Sequence, residues 1–338
     1  MRNMDHRKDR GQLAALLCVL GGILLLLFGV SMCVGRYSIP PGDVFGYFLG
    51  RDIPDMSARV IFYLRIPRTL LAALIGAALS VSGAIYQSAF NNKLVSPDLL
   101  GVSSGAGVGA CFAILLGLSG VLVSVFSFAA GAVAVALSVL IARAFKNSSN
   151  AILLLSGIAV GGLMSSLIGL LKYLADDEMM LSEMTYWLLG DISGAVMGDV
   201  WVMLPITVIF CGIAVVLSWR LNIISLGAKE ARSLGVNYKA TMAALIISAT
   251  VLTAGAVSVS GTVGWAGLVI PNIVRLFLGS DNRRVISVSM LGGACFMVAV
   301  DMLARSLAPN EIPLSVITGI LGTPLFLWSV FKRRKEIQ

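Results

Sequence analysis

Charge is missing from this chain in long blocks, and those blocks limit what it can fold into. No Asp, Glu, Lys or Arg occurs in residues 11–35, 69–92, 99–142, 147–171, 200–219, 240–274, 285–300 or 312–331. A helix of about 20 apolar residues crosses the hydrocarbon core of a bilayer. A helix also satisfies its own backbone polar groups there. Two blocks exceed one crossing: 99–142 breaks near Leu118-Ser119-Gly120, and 240–274 near Ser260-Gly261. Eight blocks, two of them double, predict an all-α integral membrane protein with ten transmembrane helices.

Composition agrees. The chain is 58% hydrophobic and 12% charged, with mean hydropathy +0.93, whereas soluble domains are about 25% charged. A soluble structural or adaptor protein is excluded. The first block follows a basic segment, MRNMDHRKDR, as in a secretion signal. It is longer than the ~7–15-residue apolar core of such signals and has no small-residue cleavage site close behind, so it reads as a retained first span. The five cysteines (18, 33, 111, 211, 295) lie in or beside apolar runs without metal-ligand spacing and read as small buried apolar residues.

The basic residues orient the spans. With the N-terminus inside and ten alternating spans, 18 of the 25 Lys and Arg fall on the inner side. The outside keeps Arg36, Arg51, Arg59, Arg65, Arg68, Lys172 and Arg305. This is the positive-inside pattern, and it puts both termini in the cytoplasm. The net charge of +8 therefore marks orientation, and its scatter over short loops argues against nucleic-acid binding. The expected organisation is a single membrane domain over 1–338: a tail to residue 11, ten helices over 12–332, and a tail over 333–338. The second outer loop, 173–198, is acidic. Leu94-Val-Ser-Pro97 resembles Leu268-Val-Ile-Pro271 five spans later, as an inverted repeat would; chance similarity between Ala- and Leu-rich helices accounts for it equally simply.

Mechanism is narrowed by what is missing. No ionisable residue stands mid-span; Asp301 and Arg275 come nearest, at span ends where a side chain snorkels cheaply. The sole histidine is His6. Ion-coupled transporters place carboxylates or histidines in the membrane interior, which disfavours a stand-alone secondary transporter. There is no GxxxxGK[ST] loop, and no metal cluster or Ser–His pair suggests an embedded enzyme. If the chain pumps, a partner supplies the energy.

Two inner loops stand out. In Leu226-Gly-Ala-Lys-Glu-Ala-Arg-Ser-Leu-Gly-Val236, residues 228–234 suit a short amphipathic helix with Ala231 and Leu234 on one face and Gly235 as its C-terminal stop. Pattern alone fits either a docking element for a soluble partner or an interfacial turn. Asn147-Ser148-Ser149-Asn150 is a polar turn of small side chains.

The segments RIPRTLLAALIGAALSVSGAIYQ…LVSPDLLGVSSGAGVG, LGAKEARSLGV, GTVGWAGLVIPNIVRLFLGSDNRR, AVDMLAR and EIPLSVITGILGTPLFLW resemble the FecCD family. These are permease subunits of ABC importers for iron–siderophore complexes, haem and vitamin B12. The resemblance runs from about residue 12 to 332. It implies a BtuC-like ten-helix permease fold in a bacterial cytoplasmic membrane, with a second permease copy, a dimer of ATPase subunits and an extracytoplasmic substrate-binding protein as partners. It also implies no cofactor on this chain, ATP and magnesium belonging to the ATPase.

Position by position, the resemblance assigns Leu226, Gly227, Ala228, Ala231, Leu234, Gly235 and Val236 to a coupling helix that enters the ATPase. It assigns Arg65, Arg68 and Arg305 to docking of the binding protein, where guanidinium forks suit carboxylates; anchoring at lipid headgroups is the simpler role for such residues. It assigns Asn147, Ser148, Ser149 and Asn150 to a cytoplasmic gate, beside the plain reading of a polar turn. Two family histidines are asparagines here, Asn272 and Asn282, which hydrogen-bond but do not titrate. The resulting expectation is a siderophore permease, with haem and cobalamin as alternatives.

Overall fold

The computed structural model describes residues 2–145 and 150–337, with side chains described over 11–145 and 150–332. Among the described residues all regular structure is helical. Helix α1 (Arg2–Cys33) is followed by the short α2 (Pro41–Phe48) and α3 (Asp55–Arg59). A π-turn over Val60–Arg65 then runs without a break into α4 (Ile66–Ala89). A 3₁₀ turn at Pro97–Leu100 leads to α5 (Val102–Leu115), α6 (Val121–Ala144) and α7 (Asn150–Tyr173). The second half holds α8 (Glu178–Leu189), α9 (Met197–Ile224), α10 (Ala228–Ser233), α11 (Tyr238–Ser260), α12 (Ala266–Leu278), α13 (Asn282–Ala304) and α14 (Leu314–Ile337).

The ten apolar runs each become an apolar helix. Eight are long and apolar enough to cross a membrane, while α5 and α12 are shorter. The two breaks expected inside long blocks fall where backbone chemistry allows. Gly117 and Gly120 take positive φ between α5 and α6, and Gly261 takes φ +67 at the end of α11, conformations that glycine adopts without steric cost. Three helices were not expected from the sequence, α2, α3 and α8, inside what read as outer loops. Asp177 starts α8 by accepting a hydrogen bond from Met179 N–H, the usual way to satisfy a free amide at a helix N-terminus.

Burial separates a centre from a periphery. The apolar windows of α4, α11 and α13 are 83, 72 and 61% buried, whereas no residue in that of α1 is fully buried, its leucines packing on the core from one side only. With no hydrophobic drive between helices in lipid, close packing depends on small residues at the crossings. A Cβ on Gly83 of α4 would stand 1.7 Å from the Gly267 carbonyl oxygen of α12, and one on Gly76 2.1 Å from that of Gly293 in α13. Neither position has room for a larger residue. The order long–short–long–long recurs, as α4 to α7 and as α11 to α14, with Pro97 just before the first short helix and Pro271 inside the second. The similar tetrapeptides thus differ in place, Leu94–Pro97 lying in the turn before α5 and Leu268–Pro271 within α12.

Candidate docking and coupling sites

At one end of the bundle, Arg65, Arg68 and Arg305 come together although they are far apart in sequence. Arg68 Nε lies 2.6 Å from Asp301 Oδ1, and its Nη1 reaches the two oxygens of Glu311 at 3.0 and 2.9 Å. Arg305 Nε is 3.6 Å from the other oxygen of Asp301. Its Nη2 donates to the Ser31 carbonyl at 2.8 Å and also to the Ser31 hydroxyl. Arg65 donates to the carbonyls of Met32 and Tyr37. The π-turn and the first turn of α4 thus grip the end of α1, and the last turn of α13 closes the cluster. Gly35, at φ +152, lies against two of the guanidiniums; a Cβ there would be 3.2 Å from Arg65.

This cluster is buried. Arg65, Arg68 and Arg305 are 4, 7 and 5% exposed, and Asp301 is fully enclosed. Burial pushes the Arg305 guanidinium down from its ordinary value; Asp301 pulls it back up, and Arg68 opposes that. The three arginines are therefore committed first to this chain's own carboxylates and carbonyls and show only edges to a partner. Snorkelling is ruled out for Asp301 and also for Arg275, which is 5% exposed. Glu311 lines a cleft of about 620 Å³ with Glu178, Ser182, Thr185, Tyr186 and Pro313, between α8 and the start of α14.

At the opposite end lies α10. Gly227 enters it at φ +119, and Gly235 leaves at φ +75. Val236 N–H donates to Ala231 O at 2.9 Å, and Gly235 N–H to Arg232 O at 3.0 Å. These paired bonds form the Schellman stop that a glycine at this position permits. Ala231 is wholly buried against Ile223, Val236 and Tyr238. Leu226 and Leu234 are instead 63 and 57% exposed. The expected shared face of Ala231 and Leu234 is therefore corrected: Leu234 is the C-cap residue, at φ −89 and ψ +10, so helical periodicity no longer governs where it points. Ala231 seats α10 on the bundle, while Leu226, Ala228 and Leu234 face outward with Lys229, Glu230 and Arg232.

Of the gate residues, Asn147, Ser148 and Ser149 lie outside the described residues. Asn150 opens α7, donating to Ala89 O at 3.1 Å and accepting from the Tyr238 hydroxyl at 3.4 Å. It ties the α10-side ends of α4, α7 and α11 together.

Sequence reasoning missed Asp301 and Glu311 as the arginines' partners, and Asn222, whose side chain bridges α9 to the α12–α13 turn. Only the spacing of Asp301 and Arg305, four residues apart on one helix, signalled any of this.

Residues 23–332 match the model of the FecCD transport family. The molybdate import permease MolB of Haemophilus influenzae is 36% identical, over 94% of this chain and 96% of that protein. A probable iron chelatin permease of Helicobacter pylori is 35% identical, over 95 and 97%. A solved structure described as an inward-facing metal-chelate type ABC transporter superposes with TM-score 0.85 at 35% identity, covering 94% of this chain and 99% of that one. The chain is a multi-pass ABC importer permease and belongs to the FecCD transport family.

Proposed function

We propose that this permease carries an iron–siderophore complex across a bacterial cytoplasmic membrane, with both of its termini inside. Cargo arrives from an extracytoplasmic binding protein at the arginine end. An ATPase dimer docks on residues 226–236, and a second permease copy completes the pathway. The chain brings no nucleotide site of its own. Asn147 to Asn150, at the inner end, serve as the cytoplasmic gate.

The observation that carries the coupling role is the pairing of a buried Ala231 with exposed Leu226 and Leu234. One side of α10 is fixed to the membrane domain and the other offers apolar side chains to a soluble partner. Exposed apolar residues beside charged ones suit a docking contact. Leu234→Glu should abolish co-purification with the partner ATPase while leaving the permease folded. Undiminished association would sink the coupling assignment. At the arginine end three guanidiniums outnumber two carboxylates, and the edges they show suit acidic groups on the binding protein's lobes.

The choice of a chelate over an oxyanion has support within the chain. Residues 173–199 contain Asp176, Asp177, Glu178, Glu183, Asp191 and Asp199 and no Lys or Arg, and Glu178 lines the cleft beside them, whose other carboxylate, Glu311, is paired with Arg68. A surface of that sign repels molybdate and tolerates a neutral or cationic chelate. Because MolB is 36% identical, molybdate belongs in the test. The binding protein from the neighbouring genes should be titrated with ferric hydroxamates, ferric catecholates, haem, cobalamin and molybdate, following its tryptophan fluorescence. Quenching by molybdate alone would overturn the siderophore reading and leave the importer reading intact.

A further inference from the structure

Helices α4 and α13 touch in the same antiparallel register along their whole length. At the arginine end Arg68 Nε meets Asp301 Oδ1 at 2.6 Å. Midway, Gly76 and Gly293 bring the two backbones together. At the inner end the Ser88 hydroxyl donates to Asn282 Oδ1 at 2.5 Å. Ion pair, backbone contact and hydrogen bond pin top, middle and bottom. Interfaces packed this tightly shift between discrete arrangements and do not bend smoothly.

The polar contacts continue past the inner end of the pair. Ser88 Oγ, having donated to Asn282, accepts from Arg275 Nη2 at 2.8 Å, and Arg275 also donates to the Ala84 carbonyl at 3.1 Å and to Gln87. Asn282 N–H donates to Asn222 Oδ1 at 2.8 Å, and Asn222 Nδ2 donates to Asp281 Oδ1 at 2.7 Å. Asn222 stands in the last turn of α9. The next residue, Ile223, packs directly on Ala231 of α10. An unbroken series of contacts therefore runs from Ala231 through Ile223, Asn222, Asn282 and Ser88 to α4, and along α4 to Arg68 and Arg65.

We propose that α4 and α13 move as one rigid strut, and that Ser88, Asn222 and Asn282 are positioning residues joining its inner end to α10. The strut makes the arginine cluster and the α10 seat the two ends of a single body. Binding at one is then felt at the other, as coupling between sites requires. This rests on the proposed docking of a binding protein at one end and an ATPase at the other. Neither Asn222 nor Asn282 changes charge with pH, so the link holds in the same form across the physiological range.

The test uses the whole transporter in liposomes, permease with its ATPase, with ATP hydrolysis measured with and without the binding protein from the neighbouring genes. Asn222→Ala and Asn282→Ala should each lower the binding-protein stimulation by at least about five-fold, the lower end of ordinary inter-site coupling. Basal hydrolysis and subunit association should hold. Both substitutions break one series of contacts, so the double variant should be no worse than the worse single one. Ser88→Ala should behave like them and Ser88→Thr, which keeps the hydroxyl, should restore stimulation; this pair carries the test even if an asparagine variant fails to assemble. Unchanged stimulation in all three overturns the proposal. So do losses that multiply in the double variant, or basal and stimulated rates falling together. A wild-type transporter that its binding protein never stimulates overturns the docking reading, and the strut with it.

Discussion

The two ends of α4 are held by different chemistry. At the arginine end, three guanidiniums and two carboxylates share a buried site, with Asp301 reached by both Arg68 and Arg305. At the end nearer α10, Arg275 donates to a carbonyl, an amide oxygen and a hydroxyl, and asparagines complete the joint. Ion pairs in a low dielectric are strong when complete and costly when broken. Hydrogen bonds from a guanidinium to uncharged acceptors contribute about 1.5–3 kcal/mol each, less than a buried counter-ion, and they fix direction. The first end suits a site that keeps its shape while a charged partner arrives and leaves. The second suits a joint whose geometry matters more than its strength.

That contrast predicts a ranking. Asp301→Ala strips a counter-ion from two buried arginines and should cost about 3–5 kcal/mol, seen as a large fall in the unfolding temperature of the detergent-solubilised protein. A loss below about 1 kcal/mol would mean the arginines find water or other partners. Gly293→Val, at the crossing with α4, should cost about 1–3 kcal/mol by overpacking, since even a Cβ there would stand 2.2 Å from the Gly76 carbonyl oxygen. Full stability in that variant would show that α4 and α13 separate easily, against the strut. Ser88→Ala takes an acceptor from the Arg275 guanidinium and should cost about 1.5 kcal/mol, the lower end for a hydrogen bond to a charged group, so any large loss of transport in it reflects geometry. If Ser88→Ala and Asp301→Ala proved equally destabilising, the distinction between the two ends would collapse.

Much of this was legible in the sequence, and the reasons are local. Charge-free blocks are set by the bilayer, so helix positions and the breaks at Gly117–Gly120 and Gly261 could be read directly. The stop after α10 was legible because Gly235 meets a backbone demand within a few residues. The arginine cluster was legible only as a family likeness. Its partner Asp301 is distant in sequence from Arg68, and no periodicity links an arginine to a carboxylate on another helix. Helices α2, α3 and α8 were missed because, at 8, 5 and 12 residues, they are too short to register as spans and lie beside charged residues. Leu234 was placed on the wrong face because a six-residue helix ends before its period is established.

The shortness of α12 bears on how the chain is made. Its 13 residues span about 20 Å at 1.5 Å per residue, against a hydrocarbon core of about 30 Å. They include Pro271, Asn272 and Arg275, poor passengers for a segment entering lipid alone. In the finished protein Arg275 and Asn272 find their partners on α4 and in the loop that follows it, both made much earlier. Biogenesis of the second half therefore depends on the first. In a glycosylation-mapping reporter, α12 fused alone is expected to stay out of the membrane, and to insert when residues 55–100 are supplied ahead of it.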